Sequence, residues 1–524
     1  MAEGIHAEEL AKEHKAVSVA EFFEKNRHLL GFGSRRQALI TCVKEAVDNS
    51  LDACEEVRTL PDILVEIRKV EGREDRFLVC IEDNGPGIVK RNLSKAFGKL
   101  LYGSKFHGNK QGRGQQGIGI TSCVLYSQLT TGKSSLIISK TDKNEPAHFI
   151  KLILDTKNNE PHIVEEGGDK SFNHRGTRVE LEIEAEFLAT GKQSIHEYLK
   201  RTSIVNPHAR LMFITPETEK ILFQRSTEKL PELAKRIKPH PAGLELGTLM
   251  KMLRDTTKKT PTSFMRTEFS SIGAKTAQEI LAKAKLSDRT KPNMLNRDHA
   301  EALLKAMQNV AIQAPPLDCL SPIGEDALLK SIKSEITAEF YTTVTRKPTA
   351  YRGMPFQIEV GLAYGGDLPR DKKANVMRVA NKVPLVYEDY ACAITQAIKK
   401  TDWKRYGIEV PGGFPKGPLI VIVHMCSVWV PFTSEGKQAI AGYPEVIKEM
   451  RLGIMEAARK MNVYLRRKFK MRQEQERVNT FVKYAPEIAN ALSELTGEDE
   501  KRIQNVINSL LVDKYGEQAI RREG

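Results

Sequence analysis

Long apolar runs, paired cysteines and internal repeats are all missing from this sequence of 524 residues. No stretch reaches the roughly 18 apolar residues of a membrane-spanning helix. The polar start also lacks the apolar centre of a secretory signal. The seven cysteines stand singly, without a C-x-x-C pair, which argues against a disulfide framework or a zinc site. We therefore expect a cytoplasmic protein with reduced thiols and no membrane segment.

Basic residues outnumber acidic ones, 81 to 67, and give a formal net charge of +14. This balance favours an anionic partner, most often nucleic acid. A generally basic protein without such a partner fits the charge equally well. With 40% hydrophobic and 28% charged residues, the composition is that of a globular protein. The length predicts three or four folded units.

Hydrophobic patterning divides the chain into four predicted domains. A polar arm and an α/β sandwich come first, followed by a basic helical insert. A second α/β domain that ends in a long helix comes next, and a short helical tail closes the chain. The Pro-rich segment 314–322 marks one boundary. The predicted limits are residues 1–228, 229–312, 313–477 and 478–524.

Local patterns predict the elements of these domains. The first domain opens with a helix over 34–56 and strands over 62–70 and 76–83. Residues 89–111 are predicted to be helical and precede a glycine-rich loop. In the insert, the turn SSIG at 270–273 indicates a compact helix-turn-helix-like module.

In the second α/β domain, the strand–helix–strand order implies a crossover between parallel strands. Its final helix is predicted to run from about residue 444 to about residue 477.

The helix segment KEAVDNSLDACEE places Glu45, Asp48, Asn49 and Asp52 on one face. An apolar stripe on the other face predicts packing on a core. Asn49 offers the neutral oxygen that suits Mg²⁺ shared with substrate phosphates, and Glu45 is placed to accept a proton from an attacking water. The alternative is an ordinary solvated helix face.

Two glycine-containing turns follow this helix. In EDNGPGI, Asp83 ends a predicted strand beside Gly85 and Gly87, where its carboxylate can accept a hydrogen bond from an exocyclic amine such as that of adenine. A simple β-turn explains the same letters. In GRGQQGIGI, at 112–120, four glycines expose backbone N–H groups before a helix N-terminus, which suits phosphates.

Two familiar nucleotide motifs are excluded by their surroundings. The loop at 112–120 contains G-x-G-x-x-G, but the dinucleotide motif needs a strand directly before it, and residues 89–111 are predicted to be helical. The segment TTGKSS at 130–135 lacks the leading glycine of a P-loop, because residue 127 is serine. We interpret it as a turn between strands.

The order E-x-x-x-N, D-x-G-x-G, glycine-rich loop and RGT at 175–177 resembles the GHKL ATPase superfamily, with its Bergerat α/β sandwich. The resemblance implies ATP and Mg²⁺ as cofactors. It implies that Glu45 is the general base, Asn49 the magnesium ligand and Asp83 the adenine-reading carboxylate. The other implied ATP contacts are Gly85 and Gly87 beneath the base, Ser104 and Lys105 at the lid edge, Arg113, Gly114, Gln115, Gln116, Gly117, Ile118, Gly119 and Ile120 in the phosphate lid, and Thr177 beside the adenine.

The segment VPFTSEGKQAIAGYPEV, at 430–446, follows an apolar strand and resembles the switch loop of a transducer domain. The resemblance implies that Lys437 reaches the γ-phosphate, where an ammonium group stabilises developing charge. Without the preceding motifs, a solvent-exposed loop lysine would be the simpler interpretation.

The order of ATPase domain, helix-two-turns-helix insert, α/β transducer domain and long stalk helix resembles the B-subunit family of topoisomerase VI, a type IIB enzyme. This resemblance implies an ATP-hydrolysing isomerase component that associates with chromosomal, double-stranded DNA. Two B chains would dimerise on ATP binding, close a gate and drive strand passage and supercoil relaxation. No D-x-D cleavage motif occurs in the sequence, so DNA cleavage is expected in a separate A subunit of an A2B2 heterotetramer.

Two basic stretches, 459–472 and 399–405, fit DNA phosphates, although a solvated helix face explains the first equally well. Two other classes remain as alternatives. A mismatch-repair or chaperone clamp would share the ATPase motifs, but we expect the helical insert only in the topoisomerase. A signalling kinase needs a phospho-acceptor histidine on long upstream helices, and His6 and His14 are too close to the N-terminus.

Overall fold

The computed structural model of the chain describes residues 17–103, 109–114, 117–434 and 436–515. They form two compact units. The larger comprises the described residues up to Thr401 together with Val410–Ala457, and the smaller comprises Asp402–Glu409 together with the described residues from Ala458 onward. Among these residues, no helix has the length and apolar character needed to cross a bilayer.

The first α/β part of the larger unit contains five helices among its described residues. They are α1 (Val19–Lys25), α2 (Arg35–Glu56), α3 (Lys90–Gly98), α4 (Gly119–Thr131) and α5 (Ile195–Val205).

The eight strands of this part form one sheet. They are β1 (Asp62–Lys69), β2 (Arg76–Asp83), β3 (Ser135–Lys140), β4 (Ala147–Asp155), β5 (Glu160–Asp169), β6 (Gly176–Glu184), β7 (Arg210–Ile214) and β8 (Lys220–Phe223). Their order is β5-β4-β3-β6-β2-β1-β7-β8, and only β1 and β7 pair in parallel. Helices α2 to α5 pack on the sheet through one hydrophobic core, which confirms the predicted α/β sandwich.

Helix α2 confirms the predicted helix over 34–56. The Ser34 hydroxyl caps it by accepting a hydrogen bond from the backbone N–H of Gln37 at 3.3 Å. Burying each large aliphatic side chain of its apolar stripe contributes roughly 1.5–3 kcal/mol, so packing fixes which face of the helix looks outward. The buried stripe consists of Ile40, Val43, Val47, Leu51 and Cys54.

The helix predicted over 89–111 ends at Gly98 with α3, so the prediction is wrong for residues 99–103 and 109–111, and residues 104–108 lie outside the described part of the chain. A Cβ at Gly98 would lie 2.6 Å from Cβ of Pro161, so the chain passes close to β5 at this point. Leu101 then adopts a positive φ of 61°, which a helix does not allow. We call the glycine-rich loop at 112–120 the lid loop. Within the described residues, no strand of the sheet directly precedes it, in agreement with the rejection of the dinucleotide motif.

The helical insert has its own hydrophobic core, which includes Leu249, Phe264, Ile280 and Leu303. The turn predicted at 270–273 separates its second and third helices. The four helices are α6 (Leu246–Asp255), α7 (Pro261–Glu268), α8 (Ala274–Ala284) and α9 (Arg297–Asn309).

The second α/β part of the larger unit contains α10 (Glu325–Glu335), α11 (Ala393–Lys399) and six strands. The strands are β9 (Phe340–Thr345), β10 (Thr349–Tyr351), β11 (Met354–Tyr364), β12 (Asn375–Ala380), β13 (Val383–Leu385) and β14 (Leu419–Ser427). They form one sheet in the order β10-β11-β14-β12-β13, with β9 also on β11. Strands β12 and β14 are parallel, with α11 between them along the chain, as the sequence predicted.

One hydrophobic cluster connects the two α/β parts. Ile204 and Val205 at the end of α5 pack with Leu328 and Ile332 of α10, and with residues of the second sheet such as Val379. This buried cluster therefore packs the end of α5, in the first α/β part, against α10 and the second sheet.

The last predicted helix is longer than the sequence suggested. Helix α12 runs from Pro444 to Thr496, about 80 Å at 1.5 Å per residue, so the predicted end near residue 477 is wrong. The helix continues through Pro486 and stops before Gly497, whose φ of 72° suits a helix C-terminus.

Helix α13 (Glu500–Tyr515) follows in the smaller unit, and the rings of Phe481 and Tyr515 stack there at 6.5 Å between centroids. The helical character predicted for the tail is confirmed for its described residues, which end at Tyr515. The four domain limits in residue numbers stay a prediction.

Candidate active site

A cavity of about 550 Å³ opens beside α2, within the range of roughly 300–1,000 Å³ that small-molecule sites occupy. We call it the α2 cavity. Its lining includes eleven of the residues predicted from sequence: Glu45, Asn49, Asp83, Gly87, Gly114, Gly117, Ile118, Gly119, Ile120, Thr177 and Lys437. Gly85 and the Arg113 side chain are not part of the lining, and Ser104, Lys105, Gln115 and Gln116 lie outside the described residues.

At one end of the cavity, the Asp83 carboxylate is held in place by three hydrogen bonds. Its Oδ1 accepts from the backbone N–H of Gly85 at 2.9 Å and of Thr177 at 3.2 Å, and its Oδ2 accepts from the Ser50 hydroxyl at 2.8 Å. Burial raises the pKa of Asp83, and these hydrogen bonds oppose that rise. Gly85 therefore supports the carboxylate through its backbone although it does not line the cavity.

The pairing of β2 with β6 explains the spacing of the motifs at this end, because Asp83 and Thr177 are direct register partners. Gly87 turns the chain back toward the cavity with a φ of 70°. A Cβ at Gly87 would lie 2.3 Å from the carbonyl oxygen of Lys140, so only glycine fits this turn.

At the other end of the cavity, Glu45 faces Lys437. Oε1 of Glu45 lies 3.9 Å from Nζ of Lys437 and 3.4 Å from Nζ of Lys44. Burial raises the pKa of Glu45, but the two ammonium groups outweigh it and the net shift is downward. The carboxylate is therefore ionised at neutral pH and able to accept a proton.

Lys437 itself is buried and donates a hydrogen bond to the backbone carbonyl of Arg113 at 3.1 Å. The loop after β14 thus brings its lysine into contact with the first α/β part, and the implied contact with a γ-phosphate stays a prediction.

Helix α4 begins at the edge of the cavity next to Glu45. A Cβ at Gly119 would lie 1.9 Å from Oε2 of Glu45, so the first residue of the helix leaves room for the carboxylate only because it is glycine. The unpaired N–H groups and the positive dipole end of such a helix attract phosphate groups.

Asp48 and Asp52 are buried on α2 and do not line the cavity. Asp52 Oδ1 accepts a hydrogen bond from Nη1 of Arg113 at 2.7 Å. Burial raises the pKa of Asp48 to about 7, and within the described residues neither of its carboxylate oxygens has a hydrogen-bond partner. The acidic face of α2 is therefore divided between cavity residues and buried supports.

The Arg113 side chain departs from the sequence expectation of a phosphate contact. Its guanidinium is buried against Asp52, Glu55 and Asn206, where Nη2 donates to Oε1 of Glu55 at 2.6 Å. Two carboxylates therefore hold the guanidinium away from the cavity, and the backbone carbonyl of Arg113 accepts the hydrogen bond of the cavity residue Lys437.

Asn49 is the cavity residue that the sequence analysis assigned to Mg²⁺. No cluster of three or more histidine, cysteine, aspartate or glutamate side chains that would hold a metal occurs in the part of the chain that the structure describes. Asn49 is exposed at the cavity and presents its Oδ1 near Gly114. One amide oxygen fits Mg²⁺, which keeps several waters and completes its shell with substrate phosphates.

Sequence reasoning missed four residues that shape this region: Lys44, Ser50, Glu55 and Lys382. Ser50 occupies the helix position after Asn49, and a hydroxyl there carries no distinctive signal. Lys44 precedes Glu45 and has no pattern of its own. Glu55 and Lys382 come from distant segments and are recognised only by their contacts.

Two family profiles match the chain. Residues 34–186 match a family described as histidine kinase-, DNA gyrase B- and HSP90-like ATPase, and residues 315–477 match one described as topoisomerase VI B subunit, transducer. These two regions contain Glu45 and Lys437, respectively.

Curated relatives cover nearly the whole chain. The B subunit of type 2 DNA topoisomerase 6 from Methanosarcina mazei is 47% identical over 99% of this chain and 83% of its own length. The protein of the same name from Thermococcus onnurineus is 37% identical over 99% of this chain and 98% of its own length. Among solved structures, the B-subunit of the DNA gyrase from Myxococcus xanthus is similar with a TM-score of 0.42, at 12% identity over 86% of this chain and 96% of that chain.

Proposed function

This chain belongs to the family of type 2 DNA topoisomerase 6 B subunits, and we propose that its α2 cavity binds ATP with Mg²⁺ and hydrolyses it. The chain is the ATPase subunit of a type II DNA topoisomerase, with a GHKL ATPase domain and a transducer domain. The transducer match runs against a mismatch-repair clamp, a chaperone clamp and a signalling kinase.

Nucleotide binding uses both ends of the cavity. Asp83 accepts the hydrogen bond of the adenine amine, beside Thr177 and above the turn at Gly87. The backbone N–H groups of Gly117 and Gly119 receive the phosphates at the N-terminus of α4. Asn49 holds Mg²⁺, which when bound neutralises charge on the phosphates. The fixed Asp83 carboxylate and the exposed Asn49 amide support this orientation.

Hydrolysis takes place between Glu45 and Lys437. The ionised Glu45 carboxylate accepts a proton from the attacking water while a bond forms from the water oxygen to the γ-phosphorus and the bond to the bridging oxygen of the leaving ADP breaks. The Lys437 ammonium stabilises the charge that develops on the γ-phosphoryl oxygens. The observation that carries this mechanism is the 3.9 Å approach of Oε1 of Glu45 to Nζ of Lys437.

Glu45→Ala tests the base. We expect the variant to bind ATP with nearly unchanged affinity, because the adenine and lid contacts remain, and to hydrolyse it on the order of 10²- to 10⁴-fold more slowly. Steady-state ATPase assays and equilibrium binding of Mg²⁺–ATP measure the two quantities. Glu56→Ala, on the exposed end of α2, is the matched control and should hydrolyse normally. Normal turnover in Glu45→Ala would remove Glu45 from the role of base.

The family of the chain also indicates its partners. Two copies of the chain dimerise when ATP binds and close a gate, and a separate A subunit cleaves double-stranded DNA within an A2B2 assembly. The absence of D-x-D from the sequence supports a separate protein for cleavage. The seven exposed basic residues between Arg459 and Arg472 support contact with DNA, whose affinity would fall with salt.

A further inference from the structure

Four charged residues, three of them buried and Glu55 nearly so, meet where the lid loop, α2 and the second α/β part come together. We call Asp52, Glu55, Arg113 and Lys382 the charge junction. On the first side, Nη1 of Arg113 donates to Asp52 Oδ1 at 2.7 Å and Nη2 donates to Glu55 Oε1 at 2.6 Å. Burial lowers the pKa of Arg113, but the two carboxylates raise it further, so its charge is retained.

Lys382 approaches the same carboxylate from the second α/β part. Asn381 and Lys382 form the tight turn between β12 and β13, with φ values of 47° and 66°. Nζ of Lys382 lies 3.6 Å from Glu55 Oε2 and donates to the Ser321 hydroxyl at 2.9 Å. Nδ2 of Asn381 donates to the carbonyl oxygen of Gly112 at 3.1 Å. The turn therefore contacts both α2 and the start of the lid loop.

The junction sets two carboxylates against two basic side chains, and burial lowers the pKa of Lys382 while the neighbouring Glu55 opposes that fall. His208 also contacts Glu55 Oε1 at 2.9 Å, but burial lowers its pKa, so it is neutral at physiological pH. Removing one member leaves an uncompensated charge in a buried site, which proteins tolerate poorly. The junction therefore ties Gly112 and Arg113, at the start of the lid loop, to α2 and the β12–β13 turn.

This position matters for the α2 cavity because the junction residue Arg113 also anchors the switch lysine. The backbone carbonyl of Arg113 accepts the hydrogen bond of Lys437 Nζ at 3.1 Å, and the same Nζ lies 3.9 Å from Glu45. Displacing the backbone of Arg113 would displace the acceptor that holds Lys437. Among the described residues, the hydrogen bonds of Asp83 at the adenine end go to Ser50, Gly85 and Thr177, none of which belongs to the junction.

We propose that the charge junction positions Lys437 for the terminal phosphate and thereby sets the preference of the cavity for ATP over ADP. The proposal rests on the proposed function of the α2 cavity. Arg113 and Lys382 are positioning residues, because neither side chain lines the cavity. ADP lacks the γ-phosphate that Lys437 serves, so its binding does not depend on the junction.

The test compares the binding of ADP and of a nonhydrolysable ATP analogue, each with Mg²⁺, to the full chain. In Lys382→Met and in Arg113→Lys we expect ADP affinity to stay within about twofold. Affinity for the analogue should fall about tenfold, the loss of one charged hydrogen bond, with a matching fall in kcat. Arg201→Lys is the control, because Arg201 is a buried arginine that pairs with Glu197 at 2.7 Å within α5. It should alter both affinities by the same factor.

An equal change for ADP and the analogue in both junction variants, or no change in either, would mean that the junction is only structural and would overturn the proposal. If Arg113→Lys does not fold, Lys382→Met alone decides. Lys437→Ala distinguishes a failure of the junction proposal from a failure of the proposed role of Lys437. Loss of analogue affinity in Lys437→Ala without such a loss in the junction variants would refute the junction alone. Unchanged analogue affinity in Lys437→Ala would refute the switch-lysine role and the junction proposal with it.

Discussion

The Glu45 carboxylate has room in the α2 cavity because residue 119 has no side chain. A Cβ at this position would lie 1.9 Å from Oε2 and 2.6 Å from the carboxyl carbon of Glu45. The end of a glutamate side chain can rotate away from such a clash, but a rotated carboxylate would leave the position that the proposed mechanism requires of it. We therefore expect an alanine at this position to lower the rate of hydrolysis and to change the stability of the fold little.

We predict that Gly119→Ala lowers kcat for ATP hydrolysis by about 10²-fold or more, on the scale of losing a general base. The thermal midpoint should change little, because alanine suits a helix. Steady-state ATPase assays and thermal unfolding measure the two effects. Gly247→Ala in α6 is the control, since its Cβ would meet nothing within 4 Å. A Gly119→Ala variant with normal kcat would contradict the packing of Glu45 against α4.

Glu55 gives a prediction about pH. Burial raises its pKa, but Arg113, Lys382 and His208 lower it well below its usual value. A carboxyl group whose pKa is depressed on folding contributes stability above its unfolded pKa, near 4.3, and loses that contribution as pH falls through its folded pKa.

Glu55→Gln should therefore lower the free energy of unfolding by about 3–5 kcal/mol at pH 7, the cost of breaking a buried ion pair. The difference from the unsubstituted chain should narrow as the pH falls below about 4. Chemical denaturation at pH 7 and below about pH 4 measures this difference in the free energy of unfolding. Glu56→Gln, on the exposed end of the helix, is the control and should lower that free energy by less than about 1 kcal/mol. A difference that stays constant with pH would contradict the ionised state of Glu55.

The sequence predicted the residues of the cavity well where the chemistry is local. Glu45 and Asn49 share a helix face through their spacing, and Asp83 stands at the end of a readable strand. The Arg113 side chain could not be predicted, because its position depends on carboxylates of α2 and on Lys382, which is far away in sequence. A lone arginine in a glycine-rich loop is expected to contact phosphate until its buried partners are known.

At the scale of elements, periodic hydrophobic patterns gave helix α2 and strands β1 and β2 to within a residue. The predicted ends of two other helices were wrong for identifiable physical reasons. Helix α3 stops at Gly98, where close packing on Pro161 turns the chain. Helix α12 continues through Pro486, a residue that usually ends or kinks a helix. Both boundaries are set by contacts that a single sequence does not contain.

Pro486 offers a test of α12 as one continuous helix. A proline inside a helix removes one backbone hydrogen bond and crowds the preceding turn, at a cost of roughly 3 kcal/mol. Pro486→Ala should therefore stabilise the helix by about 1–3 kcal/mol, seen as a higher thermal midpoint by circular dichroism. Pro444→Ala is the control, because a proline in the first turn of a helix costs little. A lower thermal midpoint for Pro486→Ala would argue for a helix that is broken at this residue.

At the scale of the whole molecule, the order of the domains could be predicted from the sequence. The contacts between them could not. The hydrophobic cluster of α5 and α10 and the charge junction both join the two α/β parts. Through them, Lys437 of the second part enters a cavity built by the first. The completed cavity therefore needs both α/β parts.

The central claim is that this chain supplies ATP hydrolysis to a topoisomerase whose DNA cleavage resides in a separate protein. Supercoil relaxation by the purified chain, with and without its A subunit and with Mg²⁺–ATP, tests it most directly. We predict no relaxation by the chain alone, ATP-dependent relaxation by the pair, and loss of turnover when the pair contains Glu45→Ala. Relaxation by the chain alone, or relaxation by the pair without ATP, would contradict the claim.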